Sequence, residues 1–134
     1  SMSRQEFQAK WGIGNQEMDD QHWELRQYLE QFERDGITIE QLKAFQTVLE
    51  NHCKHEEELM EQTGFPKQEE HTAQHRGSGK TLLEMILTLK SGERRLDPSV
   101  VIPTFQSWME HVETMDRELA EWLSSHQAMF NKHK

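Results

Sequence analysis

The feature that most constrains this chain is the spacing of its apolar residues, which recur every three or four positions almost everywhere after residue 18. That spacing is typical of amphipathic helices that bury one face. It predicts four helices, at about 19–35, 38–64, 67–90 and 97–130. Because the connections between these segments are short, the pattern favours an all-α fold, an antiparallel up-down four-helix bundle.

The first 18 residues lack this periodicity, and Gly12 and Gly14 interrupt them. We therefore predict an irregular N-terminal arm over residues 1–18. A length of 134 residues fits one compact domain. We expect a single domain over 1–134, with the helical bundle at about 19–130.

Two features of the last helix stay open at this stage. It begins somewhere between Asp97 and Pro103, because proline is favoured in the first turn of a helix and Pro103 comes late for one that starts at Pro98. The segment is also longer than its neighbours, so we expect a bend or an overhang after residue 116.

Charge and composition exclude several classes of partner. The chain has 24 acidic and 15 basic residues, a net charge of −9, so it would repel the phosphate backbone of a nucleic acid. No apolar run approaches the roughly 18 residues of a membrane span, and the N-terminus has no signal-peptide pattern. The lone Cys53 excludes an intramolecular disulfide and fits a reducing compartment, so we expect a cytoplasmic protein with no membrane partner.

Polar residues continue the apolar stripes of all four predicted helices. They are His22, His52, Glu56, His71, His75 and His111. A single core histidine is usually hydrogen-bonded to a neighbour, but burying this many polar groups without partners costs a few kcal/mol each, roughly. The His52/Glu56 and His71/His75 pairs are each one helical turn apart and can reach a common site.

This ligand chemistry predicts a metal site. Imidazole and carboxylate suit first-row transition metals, and five histidines are too many for one ion and suitable for two. Iron is the best choice, and zinc or manganese is compatible with the same ligands. We expect His55 at a solvated acidic rim, His126 and His133 in the tail, and Cys53 as a packing residue.

Four motifs, in order along the chain, resemble those of the hemerythrin family, specifically the bacterial hemerythrins (bacteriohemerythrins). Asp19-Asp20-Gln21-His22 is similar to the family's D-x-Q-H, residues 52–60 to H-F-x-x-E-E-x-L-M, residues 71–75 to H-x-x-x-H, and His111 with Asp116 to H-x-x-x-x-D. The resemblance implies two irons joined by an oxo or hydroxo bridge. In the family pattern His71, His75 and His111 bind one iron, His22 and His52 bind the other, and Glu56 and Asp116 bridge both.

That ligand count leaves the His22/His52 iron five-coordinate. The resemblance therefore implies a protein that binds O₂ reversibly for delivery, storage or sensing, with azide or nitric oxide as other small ligands and with no catalytic residues. Two other functions stay open: a di-iron redox enzyme acting on nitric oxide or peroxide, and a sensory module of a longer signalling protein.

Asp116 rests on the resemblance alone. Five residues turn an α-helix by about 500°, which carries Asp116 away from the face of His111 unless the helix is locally distorted. Glu113 is the competing carboxylate, but it lies on nearly the opposite face. The chain also departs from the family at pocket positions, with Cys53 and Ser78 where phenylalanine is common and Trp108 where leucine is common.

Overall fold

The computed structural model describes residues 2–92 and 96–132, with side chains described as far as residue 126. Within these residues every regular element is helical. They are α1 (Arg4–Trp11), α2 (Gln16–Asp35), α3 (Ile39–Thr63), α4 (Gln68–Ser91), α5 (Pro98–His111), a π-helix (Val112–Asp116) and α6 (Arg117–Lys132). Among the described residues, no helix combines the length and apolar character required to cross a membrane.

The four segments predicted from periodicity are helical, as an all-α fold requires. The side chain of Thr38 accepts a hydrogen bond from the backbone N–H of Gln41 and so begins α3. Gly64 and Gly92 follow the ends of α3 and α4 with φ of +69° and +71°, a left-handed conformation that favours glycine.

The structure places the start of α5 at the earlier of the two candidate positions. The side chain of Asp97 accepts a hydrogen bond from the backbone N–H of Ser99, and Pro98 is the first helical residue. Pro103 lies inside the helix, where it leaves one backbone hydrogen bond unmade.

The prediction of an irregular arm is wrong for α1. Ser3 and Glu6 form a reciprocal capping box, and α1 buries one side chain, Phe7, against Trp11 and Trp23. A helix of eight residues with a single buried anchor has too few apolar positions to show periodicity. The same region holds the start of α2, which Asn15 caps, so α2 begins three residues before the predicted Asp19.

The helices form a bundle around a core that polar residues divide into two parts. α3 packs against α2 and α4, α5 packs against α2, and α6 packs against α3. The first core cluster consists of Leu25, Leu29, Phe32, Leu42, Phe45, Leu49, Leu82, Ile86, Val101, Phe105 and Met109. The second core cluster consists of Ile13, Met18, Met60, Phe65, Leu119, Ala120 and Leu123.

The predicted polar positions come between members of these two clusters along the chain. In α2, for example, His22 lies between Met18 of the second core cluster and Leu25 of the first. In α3 the order is reversed, because His52 lies between Leu49 of the first core cluster and Met60 of the second. His71 of α4 lies between Phe65 of the second core cluster and Leu82 of the first. A polar layer therefore crosses the middle of the bundle.

Candidate metal centre

The π-helix brings the last predicted ligand into the polar layer. A π-helix closes i→i+5 hydrogen bonds, so residues five apart come to the same face, which an α-helix does not allow. Residues Val112–Asp116 adopt this geometry directly after His111. Asp116 is buried as a result, whereas Glu113 is exposed. The distortion that the spacing demanded is therefore present.

Three imidazoles meet the Asp116 carboxylate. The Nε2 atom of His22 lies 2.7 Å from Oδ2, and that of His52 lies 3.3 Å from the same oxygen. The Nε2 atom of His71 lies 2.9 Å from Oδ1. Both carboxylate oxygens of Asp116 are thus shared among nitrogen atoms from three other segments of the chain.

Glu56 gathers an overlapping set of imidazoles on the neighbouring side of the layer. Its Oε1 atom lies 3.0 Å from Nε2 of His71 and 2.9 Å from Nε2 of His75. Its Oε2 atom lies 3.3 Å from Nε2 of His52 but has no hydrogen-bond partner among the described residues. Glu56 is fully buried, so this oxygen is also shielded from water.

Two of the histidines make a second side-chain contact through Nδ1, the ring nitrogen that faces away from the Glu56 and Asp116 carboxylates. The Nδ1 atom of His52 lies 2.6 Å from Oε1 of Gln21, and that of His75 lies 3.0 Å from Oε2 of Glu57. When Nδ1–H donates to these oxygens, a neutral imidazole turns the lone pair of Nε2 inward. A lone pair facing a carboxylate oxygen is repulsive, so each contact needs a proton or a metal cation between the two atoms.

In the protein without metal, the pKa values of these groups also favour a positive charge between the carboxylates. Burial lowers the pKa of His71, but its hydrogen bonds with Asp116 and Glu56 outweigh burial and raise that pKa to about 9. Burial likewise opposes protonation of His52, yet the Glu56 and Asp116 carboxylates raise its pKa. Burial raises the pKa of Asp116, but His22 and the other two imidazoles hold it well below its ordinary value.

The donor set fits a metal ion. Two groups have ligand atoms that all lie within 4.8 Å of one another: His22, His52, Glu56 and Asp116, and Glu56, His71, His75 and Asp116. The two groups share both carboxylates, which is the arrangement two neighbouring cations would use. The unpartnered Oε2 atom of Glu56 supports this fit, because a buried carboxylate oxygen is normally satisfied.

His111 lies beside these groups but does not belong to them. It is half-buried, its Nε2 atom is shielded from water, and that atom has no hydrogen-bond partner among the described residues. Burial lowers the pKa of His111. With His75, Trp108 and Asp116, it lines a cavity of about 10 Å³. Its role as a ligand stays a prediction.

The other reactive side chains have different surroundings. Cys53 packs against the first core cluster, and burial raises the pKa of its thiol. The Nε2 atom of His55 lies 3.5 Å from Glu17 rather than beside the acids of its own helix, and the ring of His126 stacks on Trp122. His133 lies outside the described residues.

The sequence did not predict the two residues, Gln21 and Glu57, whose side chains contact the Nδ1 atoms of His52 and His75. Gln21 directly precedes His22 in the first motif, and Glu57 directly follows Glu56 in the second. Their positions next to predicted ligands were the available signal. Their partners are His52 and His75, which lie on other helices, and helical spacing relates only residues of one helix.

The fold and this site define a class of protein: a helical bundle with a buried nitrogen-and-carboxylate site for metal ions. Residues 14–126 match the sequence model of the hemerythrin HHE cation-binding domain, and the chain belongs to that family. No curated protein and no solved structure matches the chain.

Proposed function

We propose that this chain is a bacteriohemerythrin-type protein that binds O₂ reversibly at a centre of two iron ions joined by an oxo or hydroxo bridge. The ligands in this proposal are His71, His75 and His111 for one iron, His22 and His52 for the other, and Glu56 and Asp116 as bridges. The observation that carries it is the convergence of four imidazole Nε2 atoms on two buried carboxylates that both ligand groups share.

The unequal histidine count supports a single open position. Three histidines and three bridges fill six positions on one iron, and two histidines with the same bridges fill five on the other. When bound, the metal pair supplies reversible binding of a small ligand such as O₂ or azide at the five-coordinate ion. The residues Gln21 and Glu57 fix the orientation of His52 and His75, which keeps both ligand sets in place.

The surroundings of the centre support a small ligand. The cavity beside His52, Trp108 and Val112 measures about 10 Å³, close to the space that one water molecule needs, about 10–15 Å³. The indole of Trp108 and the side chain of Val112 form an apolar part of its lining. A diatomic molecule suits such a space better than an organic substrate does, so the cavity supports a ligand of the size of O₂ or nitric oxide.

The rest of the proposal concerns the arrangement of the helices, the extent of the domain and the location of the protein in the cell. The connections at 36–38 and 64–67 are three and four residues long, which supports antiparallel neighbours in an up-down four-helix bundle. We propose one domain over residues 1–134, with α1 packed on the bundle. The net charge of −9 supports a protein that does not bind nucleic acid, and the lone Cys53 supports a cytoplasmic location.

The test is anaerobic loading with ferrous iron, followed by metal analysis and electronic spectra before and after exposure to air. We expect two irons per chain, a new absorption band on exposure to O₂, and return of the original spectrum when O₂ is removed. Continuous consumption of peroxide or nitric oxide would instead support a redox enzyme. A single bound iron per chain, or no bound iron, would refute the di-iron proposal.

A matched pair of histidine variants tests the ligand assignment. His75→Ala removes a predicted ligand, whereas His55→Ala removes a partly exposed histidine whose charged neighbour is Glu17. We expect His75→Ala to lose bound iron and thermal stabilisation by iron, and His55→Ala to keep both. Full iron occupancy in His75→Ala would contradict the assignment.

A further inference from the structure

A second, larger cavity lies between α4 and α5 and has a volume of about 370 Å³. Its apolar wall comes from α3, α4 and α5 and consists of Phe45, Leu49, Leu82, Met85, Phe105 and Trp108. An apolar cavity of about 150 Å³ is enough to bind benzene. This cavity therefore has room for a molecule with two fused rings.

Small side chains on α4 create this space. Gly77, Ser78 and Thr81 line the cavity one helical turn apart or less. A Cβ atom added at Gly77 would meet no atom within 4 Å, so the gap is a real opening and not a close contact between helices. In a helix interior a glycine costs about 1 kcal/mol relative to alanine, so this opening is maintained at the expense of stability.

The lining is uncharged although the chain as a whole is acidic. Among the described residues that line the cavity there is no Asp, Glu, Lys or Arg, in a chain of net charge −9. A charged ligand would lose hydration there without gaining an ion pair with Asp, Glu, Lys or Arg. The chemistry therefore selects an uncharged molecule.

A few polar groups line one side of the cavity. The hydroxyls of Thr81 and Thr104 donate to carbonyls of their own helices. Gln74, Ser78 and Ser107 also line the cavity, and their side chains have no hydrogen-bonding partner within the described part of the chain. Together they can satisfy one polar group on an otherwise apolar ligand, the usual composition of a small-molecule site.

We propose that this cavity is a binding site for a small, uncharged aromatic molecule with one hydrogen-bonding group, of the indole or phenol class. His111 is the one predicted metal ligand among the described lining residues, and the proposed site needs no bound metal. Gln74, Trp108 and His111 line both this cavity and the 10 Å³ cavity beside the metal centre. A molecule bound here would therefore contact the wall of that centre.

The test is titration of the metal-free protein with 6-fluoroindole, followed by fluorine NMR of the probe. We expect saturable binding with a Kd of about 1 mM or tighter. The charged analogue indole-3-acetate should compete poorly, because no Lys or Arg is among the described residues that line the cavity. Equal competition by the two compounds, or failure to saturate, would overturn the proposal.

Two glycines of α4 provide a matched pair of variants. Gly77 lines the proposed site, whereas Gly79 lines a groove on the side of α4 that faces α3, and neither would bring a new Cβ within 4 Å of another atom. We expect Gly77→Leu to weaken binding by about tenfold or more by filling the cavity, and Gly79→Leu to leave it unchanged. Equal effects of the two variants would refute the location.

If Gly77→Leu does not fold, a third variant and NMR mapping of the binding site on the unaltered protein still test the location. Ser107→Leu fills the same cavity from α5 and should weaken binding in the same way. In the unaltered protein, the backbone amide resonances of Ser78 and Ser107 should shift with 6-fluoroindole, and those of Glu57 and Glu61 in the opposite groove should not. Shifts confined to the opposite groove would place the ligand elsewhere.

Discussion

Replacing Glu56 by glutamine removes one negative charge from the centre of the polar layer and keeps the volume of the side chain. Glu56 is fully buried and lies 3.0 Å from Nε2 of His71 and 2.9 Å from Nε2 of His75. Removing one partner of a buried ion pair typically costs about 3–5 kcal/mol. Because the amide keeps one acceptor oxygen, we expect the metal-free variant to lose about 3 kcal/mol in free energy of unfolding.

The same variant changes how stability depends on pH. The pKa of His71 is about 9 in the folded protein, above its unfolded value of about 6.5. A histidine whose pKa is raised by folding stabilises the protein fully below the unfolded pKa and loses that contribution as pH rises through the folded pKa. The metal-free protein should therefore lose stability between pH 6.5 and about 9. Glu56→Gln lowers the pKa of His71, so its pH-dependent loss should be smaller.

Urea unfolding of the metal-free protein at several pH values measures both effects, and NMR titration of the His71 ring reports its pKa directly. The control is Glu58→Gln, an exposed glutamate on the same helix, which should change neither quantity. If the pKa of His71 stays near 9 in Glu56→Gln, the Glu56 carboxylate does not hold the proton, and our reading of the polar layer is wrong.

Two further predictions concern α1 and the π-helix. Asp19 is buried and accepts hydrogen bonds from the backbone N–H of Ile13 and from the side chain of Gln8. Asp19→Ala should therefore lower the free energy of unfolding by about 2–3 kcal/mol, whereas the control Asp20→Ala, at an exposed ion pair, should lower it by about 0–1 kcal/mol. Equal losses in urea unfolding would contradict this prediction. Deleting the exposed Glu113 removes the extra residue of the π-helix and leaves His111 and Asp116, the two predicted ligands on either side of it, four positions apart, on one face of an α-helix. That variant should keep a cooperative thermal transition, whereas deletion of Glu121 from the regular α6 rotates all later residues by about 100° and should lose much of its stability.

Residues related by helical spacing within one segment could be predicted from the sequence. His52 and Glu56, four positions apart, were expected on one face of a helix, and both are buried in α3. The irregular arm was wrong because α1 has only one buried side chain, Phe7, and so leaves no periodic signal. Gln21 was missed because its partner, His52, belongs to another helix.

The sequence by itself determined where most helices lie and which polar residues continue their apolar faces, because both follow from the 3.6-residue period and from caps such as Thr38 and Asp97. The tertiary structure decided which nitrogen of each histidine faces which carboxylate, because contacts such as that of His22 with Asp116 join residues 94 positions apart. It also decided the local π-helix at Asp116. The spacing of five residues required a distortion, and the structure places it at Val112–Asp116, where Asp116 meets histidines of three other helices.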